Sequence, residues 1–503
     1  MNTALQASYD EFPYQSIPFR QSHPDRLATL ARLFGLSPKR IDESRVLEIG
    51  CASGGNLIPM AASLRRSEFI GIDFSAMQVR QGVADIEALG LTNVRLLNMN
   101  LLDFGDEFGE FDYIIAHGVY SWVPPDVQAK LLAVCARQLA PDGIAYVSYN
   151  TLPGWNMRGV IRDAMLFHTR QFPDAHSRVL QARATLDFLA QSVHSADPAY
   201  AMMLRSEAEI VRRKGDYYVL HDHLEEVNEP LYFHQFIERA SRHRLRFLAE
   251  ADFNMMLLND FAPKVVETLA RIAPEVLKRE QYIDFLRNRH FRQTLLVRED
   301  VQFTNALSPE RTMSLWIASE VRATNPGADP RSSAAEEFRT PNGSGIKTPH
   351  PISKAAMAIL ARCWPASIHF ADLCAMAATQ IGLEGIVADA QRTTLVSDML
   401  RCFAVGAAEL HSIGPAFVIE AGARPQASAL ARLQAVRGSP VTNLRHEPVA
   451  VDDADRRLLP LLDGVRLREE IAAQEWDGQP AGDEAGKLDQ ALARLARQAF
   501  LVQ

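Results

Sequence analysis

From Arg45 to about Tyr149, short apolar runs alternate with helical segments, the pattern of a parallel sheet whose strands are buried on both faces. Val46–Ile49, Phe69–Ile72, Val94–Leu97, Tyr113–Ala116 and Ile144–Ser148 are the predicted strands. Residues 55–65, 75–89 and 126–139 are the predicted intervening helices. Ala140-Pro141-Asp142-Gly143 should close the last of them, since proline stops a helix and glycine supplies a reversal. Upstream, Leu27, Leu30, Leu33 and Phe34 recur at helical spacing and predict a helix over 24–36.

After residue 155 the strand signal fades. Residues 156–213 read as helices with Leu180, Leu186, Leu189 and Met203 as core candidates. Tyr217–His221 and Leu245–Ala249 read as strands with helices around them. Thr324–Ser333 has the composition of a linker, and Pro341-Asn342-Gly343-Ser344-Gly345 that of a hairpin turn. Ser353–Gln503 is mostly amphipathic helix.

Composition narrows the classes. A chain of 503 residues should fold as several domains. Its five cysteines are odd in number, scattered and without a C-x-x-C, which excludes a disulfide framework and fits a reducing compartment. The first residues show no basic segment followed by an apolar one, and no apolar run is long enough for a bilayer. A cytoplasmic protein without membrane insertion is expected. The net charge of −8 argues against a nucleic-acid partner. Two basic runs, Arg239 to Arg246 and Arg287 to Arg292, then read as solvated faces.

The chemistry concentrates at Glu48-Ile49-Gly50-Cys51-Ala52-Ser53-Gly54-Gly55-Asn56, where a strand runs into a glycine-rich turn, and at Asp73, which ends the next strand. Glycine lets the backbone approach a ligand closely, and an acid at the second strand's end suits ribose hydroxyls. A dinucleotide turn would read G-x-G-x-x-G. Here Gly50 and Gly54 are separated by three residues and Glu48 precedes them, which favours S-adenosylmethionine. Ala52 stands where the acid-x-Gly-x-Gly-x-Gly form has its middle glycine. The expected cofactor set is Glu48, Gly50, Cys51, Ala52, Gly54, Asn56, Asp73, Phe74, Asn100, Leu101 and His117, with Leu102 as a second adenine wall.

The loop after the fourth strand carries His117, Tyr120 and Trp122, and Tyr149 and Asn150 follow the fifth. Methyl transfer is an in-line displacement that depends on alignment. Aromatic rings suit a cationic acceptor, and a histidine or tyrosine can take an amine's proton. His117, Tyr120, Trp122 and Tyr149 are therefore the catalytic candidates. The stiff, aromatic segment Tyr9–Pro24 reads either as a lid, with Tyr14, Phe19 and His23 inward, or as an external strap; Asn150 joins these three as a substrate-side candidate. His221-Asp222-His223 with Glu225 and Glu226 would still need further ligands for a metal and reads as structural.

Taken together, Tyr9–Leu36, Glu48–Asn56, Ala116–Pro125 and Ser148–Trp155 resemble class I S-adenosylmethionine-dependent methyltransferases with a methyltransferase regulatory domain. Leu220–Phe253 and Gln281–Leu295 are similar to that regulatory domain. Bacterial protein-lysine methyltransferases acting on outer-membrane proteins share the layout. The resemblance implies an α/β, Rossmann-like sheet followed by mostly helical accessory domains. It implies a catalytic domain with a lid over 1–175, a helical connector over 176–216, a regulatory domain over 217–300, a linker over 301–337 and a C-terminal accessory domain over 338–503. It implies S-adenosylmethionine as cofactor, S-adenosylhomocysteine as product, and a protein lysine as acceptor. A homodimer, a small-metabolite or RNA acceptor, and a regulatory protein that binds the cofactor without turnover all stay open.

Overall fold

The structure, a computed structural model, describes residues 16–193, 198–383, 389–438, 440–474 and 484–502. At its centre lies a seven-stranded sheet. Its strands are β1 (Arg45–Ile49), β2 (Glu68–Asp73), β3 (Val94–Asn98), β4 (Phe111–Ala116), β5 (Leu139–Asn150), β6 (Leu245–Glu250) and β7 (Phe291–Arg298). The spatial order is β3-β2-β1-β4-β5-β7-β6. The first five strands are parallel, and β7 runs antiparallel to both β5 and β6. The segment read as a regulatory domain thus supplies the last two strands of the same sheet. The sequence order reverses between β1 and β4, which opens a crevice at the strands' C-terminal ends.

Alternation along the strands builds two cores. Val46, Phe69, Tyr113, Ile115, Ile144, Tyr146 and Leu295 point to one face, with Leu27, Leu30 and Leu33 of helix Pro24–Leu33 and with Ile352, Leu360, Leu395 and Met399 from C-terminal helices. Leu47, Ile70, Ile114, Val147, Tyr149 and Leu296 point to the other, under helices Pro125–Gln138 and Phe233–Arg242. Part of the C-terminal half is therefore built into the sheet's own core. A separate cluster, from Ala427 to Leu501, forms a core of its own.

Three local expectations are corrected. Tyr217–His221 is helical, Asp216–Tyr218 continuing into a π-helical turn over Val219–His223. Val219 and Leu220 are buried against the helices Gly154–Thr169 and Ala175–Ser192, and that packing overrides the β preference of Tyr217 and Tyr218. Leu180 is 52% exposed, because the inward stripe of its helix runs through Val179, Ala182 and Leu186; Leu189 and Met203 are only partly buried, while Leu204 fills the core. Ala140–Gly143 lies inside β5, whose pairing with β4 shifts register there. The hairpin at residues 341–345 is present between Glu336–Arg339 and Gly345–Thr348.

The second basic run is not solvated. Arg292 is 1% exposed. Its guanidinium meets Asp284 at 2.8 and 2.9 Å, Glu250 at 2.6 Å and Glu280 at 3.1 Å, and it lies 3.9 Å from the Phe233 ring centroid. Arg289 adds a contact to Asp284 at 3.2 Å. This cluster ties β6 and β7 to helix Val276–Arg287. In the first run Arg239 pairs with Glu229, Arg242 with Glu238 and Arg244 with Glu299. No helix among the described residues is long and apolar enough to cross a membrane.

Candidate active site

A cavity of about 460 Å³ occupies the crevice at the C-terminal ends of the strands. It has two ends of different origin.

The first end is the turn after β1. Gly50 and Gly54 have φ of 74° and 76°. A side chain at Gly50 would place Cβ 2.4 Å from Val119 Cγ2, so only glycine leaves room there. Ala52 also sits at positive φ, 51°, a conformation that costs an alanine energy and a glycine almost nothing. Its N–H donates to Asp73 Oδ2 at 2.8 Å, while Ser75 N donates to Oδ1 at 2.8 Å. Two backbone donors thus orient Asp73, and each oxygen keeps acceptor capacity. Glu48 is 4% exposed. Its Oε1 accepts from Asn56 Nδ2 at 2.7 Å, and its Oε2 is buried without a partner. Burial pushes its carboxyl up to about 8, with the Asn56 bond pulling the other way.

Residues 16–23 cross this turn. Gly55 N donates to Ser16 Oγ at 2.7 Å, and Phe19 N donates to Asn56 Oδ1 at 2.8 Å. Ser16, Ile17 and Phe19 line the cavity, and Phe19 stacks on His117 at 3.7 Å between ring centroids. The His117 Nδ1 sits 2.8 Å from the Tyr146 hydroxyl. Burial lowers its pKa to about 4, so His117 is a neutral wall at pH 7 and a poor proton acceptor.

The second end is assembled from distant segments. Trp122 and Trp155 meet edge to face at 5.9 Å. Asn150 lies at the end of β5, its Nδ2 held by Asn228 Oδ1 at 2.9 Å. Opposite it in register is Phe291, the first residue of β7. His290, His221, Asp222 and Arg158 complete this end. Burial raises the Asp222 carboxyl to about 6, against the pull of Arg158 and His221.

Of the expected site residues, Glu48, Gly50, Cys51, Ala52, Asn56, Asp73, Phe74, Asn100, Leu101, His117, Trp122, Phe19 and Asn150 line the cavity. Gly54 does not; it shapes the turn from behind, against Ile58 and Leu96. Tyr120 and Tyr149 are corrections. Each is 1% exposed, and both pack on Phe236, Tyr149 stacked at 4.0 Å and Tyr120 edge-on at 5.2 Å. Neither lines the cavity; both rings are buried in the core under helix Phe233–Arg242. His23 caps helix Pro24–Leu33 through Asp25 N and faces His446 instead. Leu102 is 38% exposed and stands outside, its place taken by Met99. Tyr14 lies outside the described residues. Trp155, Asp222, His290 and Phe291 were missed, since nothing local marks a cavity contributed by a helix start, a π-helical turn and a strand start.

Three family descriptions match this chain: a methyltransferase domain over residues 47–145, a predicted methyltransferase regulatory domain over 215–298, and a PKMT C-terminal winged helix domain over 423–475. An uncharacterized protein of Rickettsia prowazekii, RP789, is 36% identical over 468 residues, covering 91% of this chain and 83% of its own. A second from the same organism, RP028, is 42% identical over 241 residues, 48% of this chain and 96% of its own. The solved structure of PKMT2 from Rickettsia typhi in complex with AdoHcy is 29% identical, with a TM-score of 0.86 over 98% of this chain and 100% of that one. The chain belongs to the S-adenosylmethionine-dependent methyltransferases that carry a methyltransferase regulatory domain.

The donor end of this methyltransferase fits that cofactor. Gly50 lines the cavity without a side chain, the buried Oε2 of Glu48 lacks a donor, and Asp73 is preoriented by backbone N–H groups. An ammonium beside Glu48 would resolve the cost of a buried, half-satisfied carboxyl.

Proposed function

We propose that this methyltransferase transfers a methyl group from S-adenosylmethionine to the side-chain amine of a protein lysine. The observation that carries the acceptor is the second end of the cavity, whose lining includes Trp122, Trp155, Phe291 and the half-buried Asp222. Aromatic faces attract ammonium and methylammonium groups, and a carboxylate aligns an amine for in-line attack. The similarity to PKMT2 and to the PKMT winged helix domain supports the same acceptor.

When bound, the cofactor supplies an electrophilic methyl group on a sulfonium. Asp73 would hold the ribose hydroxyls, Glu48 the amino-acid end, and Met99 and Leu101 the base. Asn100, whose Oδ1 is engaged by Leu102 N, leaves its amide N–H₂ for the ring. Phe19 and His117, stacked together, close the strap side against water. Asp222 draws in the lysine ammonium and takes up the proton that leaves as nitrogen attacks. Arg158 also lines this end; it contacts Glu207 at 3.8 Å, lies over Trp155 and favours the ionised form of Asp222.

The test is transfer of labelled methyl from S-adenosylmethionine into a bacterial lysate by the purified chain. The expected result is label in protein, recovered as methyllysine after hydrolysis. Label in RNA or in small molecules, or cofactor binding with no transfer at all, would contradict the proposal.

A further inference from the structure

The loop Asn443–Glu447 joins the short antiparallel strands Val441–Thr442 and Pro448–Val449, far along the chain from the cofactor turn. It is held from several sides. Asn443 Oδ1 accepts from the backbone of Arg445 and Glu447 at 2.9 and 3.0 Å. Arg445 forms a fork to Glu409 at 2.9 and 3.0 Å and lies over Trp364. Arg20, from the strap, bridges Glu409 and Glu447. At the tip, His446 adopts a φ of 60°, a strained choice for a side chain of this size that surrounding contacts must enforce.

This geometry delivers His446 Nε2 to 2.8 Å from Asn56 Oδ1, with His446 5% exposed. The orientation of Asn56 is fixed by its other partners. Its Oδ1 accepts from Phe19 N, so its Nδ2 faces Glu48 Oε1 at 2.7 Å and Ser22 Oγ at 3.0 Å. His446 must then carry hydrogen on Nε2 and donate. One donor from the C-terminal half thus joins Phe19 N in holding the Oδ1 of the amide whose Nδ2 meets Glu48, and Glu48 and Phe19 are two walls of the cofactor cavity. His446 itself does not line that cavity.

We infer that His446 is a positioning residue of the cofactor site, acting through Asn56 on Glu48, so that the C-terminal domain completes a pocket otherwise built by the sheet. The inference rests on the cofactor reading of the cavity. Cofactor affinity then depends on the docking of a loop that touches neither cofactor nor acceptor.

The experiment measures S-adenosylhomocysteine affinity by calorimetry for the full-length wild type, His446→Ala, His446→Gln, Asn56→Ala and the double variant. Loss of one buried donor should weaken His446→Ala by about tenfold. His446→Gln, whose amide can donate, should recover most of this. In the Asn56→Ala background the histidine change should alter affinity by less than about twofold, since its effect runs through that residue. KM for S-adenosylmethionine should rise with kcat nearly unchanged. A purely structural histidine would lower the thermal midpoint and leave the affinity of the folded protein at the wild-type value, and that result overturns the inference. Should His446→Ala not fold, His446→Asn, too short to reach Asn56, decides by the same criterion. Failure of the wild type to bind S-adenosylhomocysteine would remove the cofactor reading and the inference with it; binding by the wild type with no loss in the variants removes the inference alone.

Discussion

Two sets of acids flank the same sheet and differ in how they are satisfied. At the β6–β7 edge, Glu250, Glu280 and Asp284 converge on Arg292, with Arg289 beside them. At the strand ends around the cavity, Glu48 keeps one oxygen without a partner and Asp222 stands in a cavity wall. Burial raises the carboxyls of Glu48 and Asp222 to about 8 and about 6; it also raises those of Glu280 and Asp284, there against the pull of Arg292. A saturated cluster adds rigidity and has nothing left to offer a ligand. An unsaturated acid is costly to the empty protein and is repaid only by a cation. On the proposed function, the contrast separates the acids that hold the fold from those aimed at ligands.

The comparison can be broken first at the saturated cluster. Arg292→Ala strands three buried acids and should destabilise the protein by about 3–5 kcal/mol, read from denaturant unfolding; a loss below about 1 kcal/mol would place Arg292 outside the structural set. At the acceptor end, Asp222→Asn should lower the transfer rate by about 100-fold, with S-adenosylhomocysteine affinity unchanged. On the proposed role, in which Asp222 acts as the carboxylate with a folded pKa of about 6, wild-type kcat/KM should climb as pH rises through that value. An Asn variant with the wild-type rate and profile would return Asp222 to the structural set.

The donor end was legible in the sequence because its parts are local. Glu48, Gly50, Ala52 and Asp73 lie on two adjacent strands joined by one helix, and chain connectivity alone brings them together. Even the weak point, Ala52, is resolved by the backbone: the turn tolerates it at positive φ, with its N–H on Asp73. The proposed acceptor end was not legible, since Trp155, Asp222 and Phe291 come from three distant segments that line one cavity only in the folded chain. Tyr149 and Asn150 show the finer limit. Successive strand residues face opposite ways, so Tyr149 is committed to the core while its neighbour reaches the cavity. The strand misread at Tyr217–His221 hid Asp222 for a related reason, because tertiary packing rather than local preference sets that segment's conformation.

The claim that Glu48 is held unsatisfied for a cationic ligand is tested most directly by proton linkage. The raised pKa means that Glu48 is largely protonated at pH 7 in the empty protein, and an adjacent ammonium favours its ionised form. Calorimetric titration of S-adenosylhomocysteine at pH 7, in buffers of different ionisation enthalpy, should therefore show release of up to one proton per site. Affinity should strengthen as pH rises from about 6 to about 8, and Glu48→Gln should abolish both effects. A binding enthalpy independent of buffer, with affinity flat across that range in the wild type, would contradict the account.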